Sequence, residues 1–391
     1  MNSSVHATTT IEWWQFWTDP AIKPTIEAMV SEFEQANPDI KVNLTDLTWA
    51  NGHEKIVISL ASGTGPDVVE LGSDWIAQFA NNDQLLDISN DVVSDSSDSQ
   101  GWTMATYRGK VYASPWILGT RVLFANRNLL LRAGYDESFV PITWGQFFEA
   151  AMKVNALGKD VYGWGSNIAE KHRLYKKFLP FFWSVGGRIF SEDNQYCLMA
   201  SDQAVSSLSF YRDLHDSCGY VANQRGIEDA FLEGKIGFIM SGDWLLKRIQ
   251  LENREINLLS TLIPGPKFPG RSFMGGEFLA INAASDHKDA ARKFIKWITN
   301  AENQIRFCRA NLSANPSNRQ AQQDSYFTNN DHLMTFIRAI QSAKHPPVDP
   351  HWIEIESIIE DAVEKTLFGD DELVAEHLLS ARYKIEDIDR Q

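Results

Sequence analysis

Apolar residues recur at helical spacing through Ile22, Ile26, Met29, Val30 and Phe33, and Asn37-Pro38-Asp39 stops the run. Before this helix, residues 11–20 carry Trp13, Trp14, Phe16 and Trp17 within five positions. That apolar, aromatic start reads as a strand, with Asp19-Pro20 opening the helix. After it, Ile40, Val42 and Leu44 alternate with polar residues, as in a half-buried strand. The three segments form a β-α-β unit. A second unit follows, with a helix over 54–61, a turn at Gly63-Thr64-Gly65-Pro66 and a strand over 67–71. Ser73-Asp74-Trp75 opens the next helix, so a polar residue and a Trp again come just after a strand.

Residues 107–112 read as a hairpin around Gly109, and 120–125 as a strand that follows a kink at Pro115-Trp116. Thr143 and Gln146 have the spacing of a capping box for the helix holding Phe147 and Ala151. Val205, Leu208 and Tyr211 mark another helix, and Phe231 ends one before Gly234. Ile236 to Met240 is a strand running into Ser241-Gly242-Asp243-Trp244, the same strand-then-Trp arrangement. The Pro/Gly-dense stretch 263–270 reads as a crossing between lobes, with a second crossing in the loop-like stretch 310–319. Between them, 278–281 is a strand, and Ala290, Phe294, Trp297 and Ile298 give an amphipathic helix. The tail from Trp352 is helical, with Ile355, Ile358, Ile359, Ala362 and Val363 on one side.

At 391 residues the chain predicts two domains or lobes. A formal charge of -15 argues against a nucleic-acid partner, which demands basic clusters. No apolar run approaches the roughly 18 residues that span a bilayer. Residues 1–10 are polar and read as a disordered leader with no signal-peptide segment, so a cytosolic chain and a mature exported chain both fit. Cys197, Cys218 and Cys308 have no zinc-ligand spacing; a Cys197–Cys218 bridge or buried free thiols both fit.

Thirteen tryptophans with no catalytic motif are the most telling feature of the composition. Gly63-Thr64-Gly65-Pro66 is not a dinucleotide loop, because Pro66 and a strand stand where a phosphate-binding helix is needed. Gly163-Trp164-Gly165-Ser166 lacks the spacing of a nucleophile elbow. His351 and Glu354 form no more than an isolated pair, so neither a metal nor a cofactor is expected. Trp17 to Asp19 would lie at the carboxyl end of a strand, where open α/β sheets keep their ligand crevice. An aromatic face beside a carboxylate suits a sugar, whose apolar C–H patches are framed by hydroxyls.

Taken together, these phrases resemble a known family. The opening β-α-β with Phe16-Trp17-Thr18-Asp19-Pro20, the stretch 63–68 with Asp74 beyond it, and 107–112 resemble the extracellular solute-binding proteins of sugar ABC importers. Further matches are 115–126, 231–237, 241–244 and Gly275-Gly276 leading into 279–282 and the helix 290–298. They run in order from about Ile11 to Leu379, in the manner of the maltose-binding protein class.

The resemblance implies an α/β, two-lobed periplasmic-binding-protein-like fold of type II. Ligand would be clamped in the cleft between lobes joined by hinge strands. Lobe 1 is expected over 11–117 and 272–312, lobe 2 over 118–271 and 313–391. The implied function is a non-enzymatic receptor that binds a mono- to oligosaccharide and delivers it to the transmembrane subunits of an ABC permease. Such a protein is expected to be a monomer, periplasmic or extracellular, with or without a lipid anchor.

The ligand positions implied by the resemblance are Trp17 and Asp19 in the first-strand loop, Asp74 and Trp75 at a helix start, and Trp116 and Arg121 at the hinge. Tyr175 and Trp244 in lobe 2, Gly276 and Glu277 in a Gly-Gly loop, and Trp352 as a late platform complete the set. Each has a structural reading beside the functional one. Gly119 departs from the family, which often has an acid there. Trp144, Trp164, Trp183 and Trp297 read as core or capping residues, and Trp49 as a rim residue. A same-fold receptor for a polyamine, metal chelate or phosphodiester is the alternative, and a glycosidase built on paired carboxylates is the enzyme alternative.

Overall fold

The computed structural model describes residues 8–92, 98–168, 170–369 and 373–388. The leader reading of 1–10 falls on residues 1–7, which lie outside that range, and is wrong for Thr9 and Thr10, which pair with Ile40 and Lys41. Its strands in chain order are β1 (Thr9–Gln15), β2 (Ile40–Asp46), β3 (Val68–Gly72), β4 (Thr106–Tyr107), β5 (Lys110–Val111), β6 (Ala113–Thr120) and β7 (Val122–Asn126). They continue with β8 (Tyr162–Asn167), β9 (Gly219–Ala222), β10 (Ile236–Ser241), β11 (Leu258–Thr261), β12 (Met274–Ile281) and β13 (Asn315–Pro316).

The chain divides into two compact units. Unit 1 comprises Met1–Gly119, Gly275–Asn329 and Val348–Trp352, and unit 2 comprises Thr120–Met274, Asn330–Pro347 and Ile353–Gln391. Unit 1 is built on a six-stranded sheet of order β13-β6-β12-β3-β1-β2. Its β1 runs parallel to both β2 and β3, while β12 is antiparallel to β3. The period-2 pattern of β1 is visible in its burial: Ile11, Trp13 and Gln15 are enclosed, and Glu12 and Trp14 are half-exposed. Helix Lys23–Ala36 buries Ile26, Met29, Val30 and Phe33, and Phe33 meets Phe294 edge-on at 5.2 Å. Trp297 donates its indole N–H to the Met29 carbonyl at 3.0 Å.

Unit 2 holds a five-stranded sheet of order β11-β7-β10-β8-β9. Strand β10 is buried along its whole length, antiparallel to β7 and parallel to β8. Val122, Phe124, Phe231, Ile239, Leu245 and Phe336 form a core around it. Thr143 and Gln146 make the capping box of helix Trp144–Asn155.

Three expectations are corrected. Pro115 and Trp116 do not interrupt the chain's strand: both lie inside the continuous strand β6, whose pairing with β13 starts beyond them, at Ile117 and Leu118. The stretch 263–270 is no crossing. It is a loop packed within unit 2, where the Gly270 N–H donates to Ile263 and the Trp144 indole N–H donates to Pro264. Nor does 310–319 cross: the chain stays in unit 1 to Asn329, and the short return segment Val348–Trp352 groups Trp352 with unit 1 rather than with the other unit. All three cysteines are buried free thiols, and burial pushes the Cys218 thiol up to about 12.

Candidate functional site

The carboxyl ends of β1, β2 and β3 are held by a chain of polar contacts. Gln15 is fully buried; its Nε2 donates to Asp46 Oδ1 at 2.5 Å, and its Oε1 accepts from the Trp17 backbone N–H at 2.6 Å. Lys23 pairs with the same Asp46. The Phe16 N–H donates to Glu70 Oε2 at 2.9 Å. The turn after β1 is therefore tied to all three strand ends.

Aromatic rings gather on this turn. Phe16 stacks on Trp49, with centroids 4.2 Å apart and planes 19° apart. Trp75 lies 5.9 Å from Phe16 and 5.6 Å from Trp49, and the His53 ring lies 4.8 Å from Trp75. Gly52 is required here, because a Cβ would fall 2.3 Å from Phe16 Cε1. His53 is oriented by Gln78 Oε1, 2.9 Å from its Nε2. Trp49 is 52% exposed, so its outer face is open to solvent. Asp74 precedes Trp75 and accepts from Ser73 Oγ at 3.2 Å. Asp19 Oδ1 accepts from the Ala21 N–H at 2.9 Å in the turn that leads into helix Lys23–Ala36.

Behind this surface Trp17 stands edge-on to Phe307 at 4.8 Å and to Trp116 at 6.3 Å. Trp116 has no exposed surface and packs on Trp13 and Phe307. Gly276 lets β12 lie close to β6, since a Cβ there would sit 2.3 Å from the Ile117 carbonyl oxygen. Glu277, half-buried on β12, stands opposite Gly72 of β3. Trp352 is 1% exposed.

On unit 2, Trp244 follows β10 and begins helix Trp244–Leu251. Its indole N–H donates to Glu228 Oε1 at 2.6 Å. Glu228 is buried and also accepts from Ser241 Oγ, Gln224 Nε2 and Arg248 Nη1. The ring folds back over Gly242, where a Cβ would fall 2.0 Å from Trp244 Cζ3. The Arg121 guanidinium lies 4.6 Å from the Trp244 ring centroid and 5.7 Å from that of Phe273. Tyr175 is fully buried and meets Phe273 edge-on at 5.8 Å, with Lys176 Nζ 5.2 Å above the Tyr175 ring. Lys177 buries its ammonium and donates to the Met240 carbonyl. Burial first, then the neighbouring Arg121, brings its pKa down to about 7.

The expected residues thus gather into two sets, one on each unit. Asp74 and Trp75 join Phe16, Trp49 and His53 on unit 1, and Arg121 joins Trp244 on unit 2. Trp116, Tyr175 and Trp352 are enclosed, and Gly276 serves close packing. Sequence reasoning passed over Phe16 as a ring platform, and also Glu70, Glu228 and Phe273; Lys177, which beside Lys176 reads as part of a solvated helix face, is instead buried. A signal existed for Glu70, a charged residue inside the apolar strand Val68–Gly72. Among the described residues no group of three His, Cys, Asp or Glu side chains is arranged for a metal, and no helix is long and apolar enough to cross a membrane.

The chain and its fold have counterparts. A putative binding protein of Brucella abortus (strain 2308) is 24% identical over 356 residues, covering 88% of this chain and 85% of that one. The diacetylchitobiose binding protein DasA of Streptomyces coelicolor is 24% identical over 346 residues, covering 84% and 78%. Among solved structures, the GacH receptor of Streptomyces glaucescens, described unliganded and with acarbose, superposes with a TM-score of 0.82 at 23% identity over 98% of this chain and 100% of that one. At that identity the likeness establishes a shared two-lobe α/β fold. The profile of the bacterial extracellular solute-binding proteins matches residues 18–305, and the chain belongs to that family.

Proposed function

We propose that this protein is a carbohydrate receptor of an ABC importer, working as a monomer outside the cytoplasmic membrane and passing its ligand, chemically unchanged, to the permease subunits. The observation that carries the reading is the open face of Trp49, backed by Phe16 and angled to Trp75, at the carboxyl ends of three strands. A pyranose laid on such a face loses water from its C–H patch, while ionised acids accept from its hydroxyls more strongly than neutral groups do. Asp74, Asp19 and Glu277 are the acids we assign to that task on unit 1. Trp244, its N–H held by Glu228, is the aromatic contact we assign on unit 2. The sugars named for DasA and GacH support the substrate class. Arg121 over Trp244, with Lys176 and Lys177 near Phe273 and β10, disfavours a polyamine.

The test is thermal unfolding against acarbose, maltotriose, N,N'-diacetylchitobiose, monosaccharides and spermidine. A ligand at about 100 times its Kd adds about 2.7 kcal/mol, a rise of several degrees. One sugar is expected to raise the midpoint, unchanged after incubation, and the rise is expected to vanish in Trp49→Ala and Trp244→Ala. A flat sugar response with a shift by spermidine would overturn the substrate, and hydrolysis of the bound sugar would overturn the receptor.

A further inference from the structure

Glu70 is out of character with its strand. Its neighbours Val68, Val69 and Leu71 are fully buried, and Glu70 itself has no exposed surface. Among the described residues no Lys, Arg or His pairs with it. An unpaired carboxylate in such a place is strongly disfavoured, and the group takes up a proton instead. Burial raises its proton affinity well above the usual carboxylate range and Glu277 raises it further, against the opposing pull of the Phe16 and Trp17 N–H groups.

The register explains the second effect. Glu277 stands opposite Gly72 and Leu279 opposite Glu70, so the two carboxyls share one sheet face at diagonal positions. Two negative charges there repel, and the enclosed one gives way. On the other side, Trp14 pairs with Val69, which places the neutral Gln15 beside Glu70; beyond it Asp46 is held by Lys23.

The hydrogen bonding of Glu70 is one-sided. Its Oε2 accepts from the Phe16 N–H, whereas Oε1 is buried without a partner. The Trp17 indole N–H is likewise buried without a partner, and it acts electrostatically on the same carboxyl. Glu70 thus holds Phe16 by a hydrogen bond and interacts with Trp17, the two residues that turn the chain out of β1.

We infer that Glu70 acts as a neutral carboxylic acid and is the positioning residue of the Phe16–Trp17 turn, leaving Glu277 as the charged acid of this sheet face. Phe16 backs Trp49, so the turn sets the aromatic platform. Ionising Glu70 would place a second negative charge beside Glu277, at a diagonal position on the same sheet face. Only the ligand-binding consequence rests on the carbohydrate reading.

Infrared spectroscopy of the full chain tests the neutral acid, because the carbonyl stretch of a protonated carboxyl stands apart from carboxylate and amide bands. At pH 7 the wild type is expected to show such a band that Glu70→Gln lacks, and in Glu277→Gln the band is expected to titrate away at lower pH than in the wild type. Coincident spectra of wild type and Glu70→Gln in that region would overturn the inference. Positioning is read from Trp17 emission, taken as the difference between each protein and its Trp17→Phe counterpart. Glu70→Gln should leave it unchanged and Glu70→Leu should shift it; an unshifted Glu70→Leu refutes the positioning role.

Should Glu70→Leu fail to fold, the pH profile of sugar affinity decides. Wild-type affinity is expected to fall at alkaline pH while that of Glu70→Gln stays level. A folded Glu70→Leu is expected to bind about tenfold more weakly, the effect of one lost hydrogen bond. Parallel pH profiles of wild type and Glu70→Gln would count against the role. Absence of any sugar binding would defeat the carbohydrate reading alone, with the infrared and emission results still deciding on Glu70.

Discussion

Single buried charges set the character of this protein more than its catalogue of aromatic residues does. Lys177 shows how. It sits on helix Leu174–Ser184 with its ammonium enclosed, bonded to the Met240 carbonyl, and its pKa falls to about 7. Burial is the first cause; Arg121 and Arg173 add to it, and Glu228 and Glu170 oppose it. The unfolded chain holds that proton up to the ordinary lysine range, about 10.4. Between about 7 and 10.4 the unfolded state therefore binds more protons, and this group makes stability rise with pH across that window. Lys177→Met is expected to raise the unfolding midpoint at pH 7, with the advantage over wild type shrinking as pH approaches 10. A constant difference across that range would show that Lys177 is not the source.

Strand β12 shows what one missing side chain does for an element. Gly276 allows β12 to approach β6 so closely that a Cβ would lie 2.3 Å from the Ile117 carbonyl oxygen and 3.2 Å from the Leu118 Cα. Both obstacles are backbone, so neither yields by a rotamer change. Gly276→Ala is expected to cost roughly 1–3 kcal/mol, typical of overpacking, and lower the midpoint by several degrees. Gly119, where a Cβ meets nothing within 4 Å, is the control: Gly119→Ala should leave the midpoint nearly unchanged. Equal effects at the two glycines would mean that flexibility rather than close approach governs them. The Gly275-Gly276 phrase was visible in the sequence as a family signature, but its packing reason was not, because the partner lies more than 150 positions away.

At the scale of the whole molecule the acid excess is the dominant electrostatic fact, with 51 acids against 36 bases and a sequence pI near 5.1. Exposed pairs such as Arg306–Glu32 and Lys41–Glu34 offset part of it, each contributing little in water. Net repulsion of this kind weakens the compact state and is screened over about 8 Å at 0.15 M salt. The unfolding midpoint at pH 7 is expected to rise as sodium chloride goes from a few millimolar toward that concentration, roughly. A fall would show that attractive pairs outweigh the net charge.

Periodicity and local signals were enough to lay out the elements. The 3.6-residue spacing of Ile22 to Phe33, the alternation of Ile40 to Leu44 and the capping box at Thr143 depend on neighbours in the chain, and each stands in the fold as read. The order of family phrases from Ile11 to Leu379 placed the chain in its family for the same reason, since order along a chain is a property of sequence. Which aromatic residues face outward was decided only by tertiary packing. Trp49 and Trp116 are the same residue type, yet one is 52% exposed on a Phe16 ring and the other is enclosed by Trp13, Trp17 and Phe307. The protonation of Glu70 and Lys177 belongs there too. Ionisation depends on the solvent removed and the charges brought near, and for both residues those come from strands and helices distant in sequence.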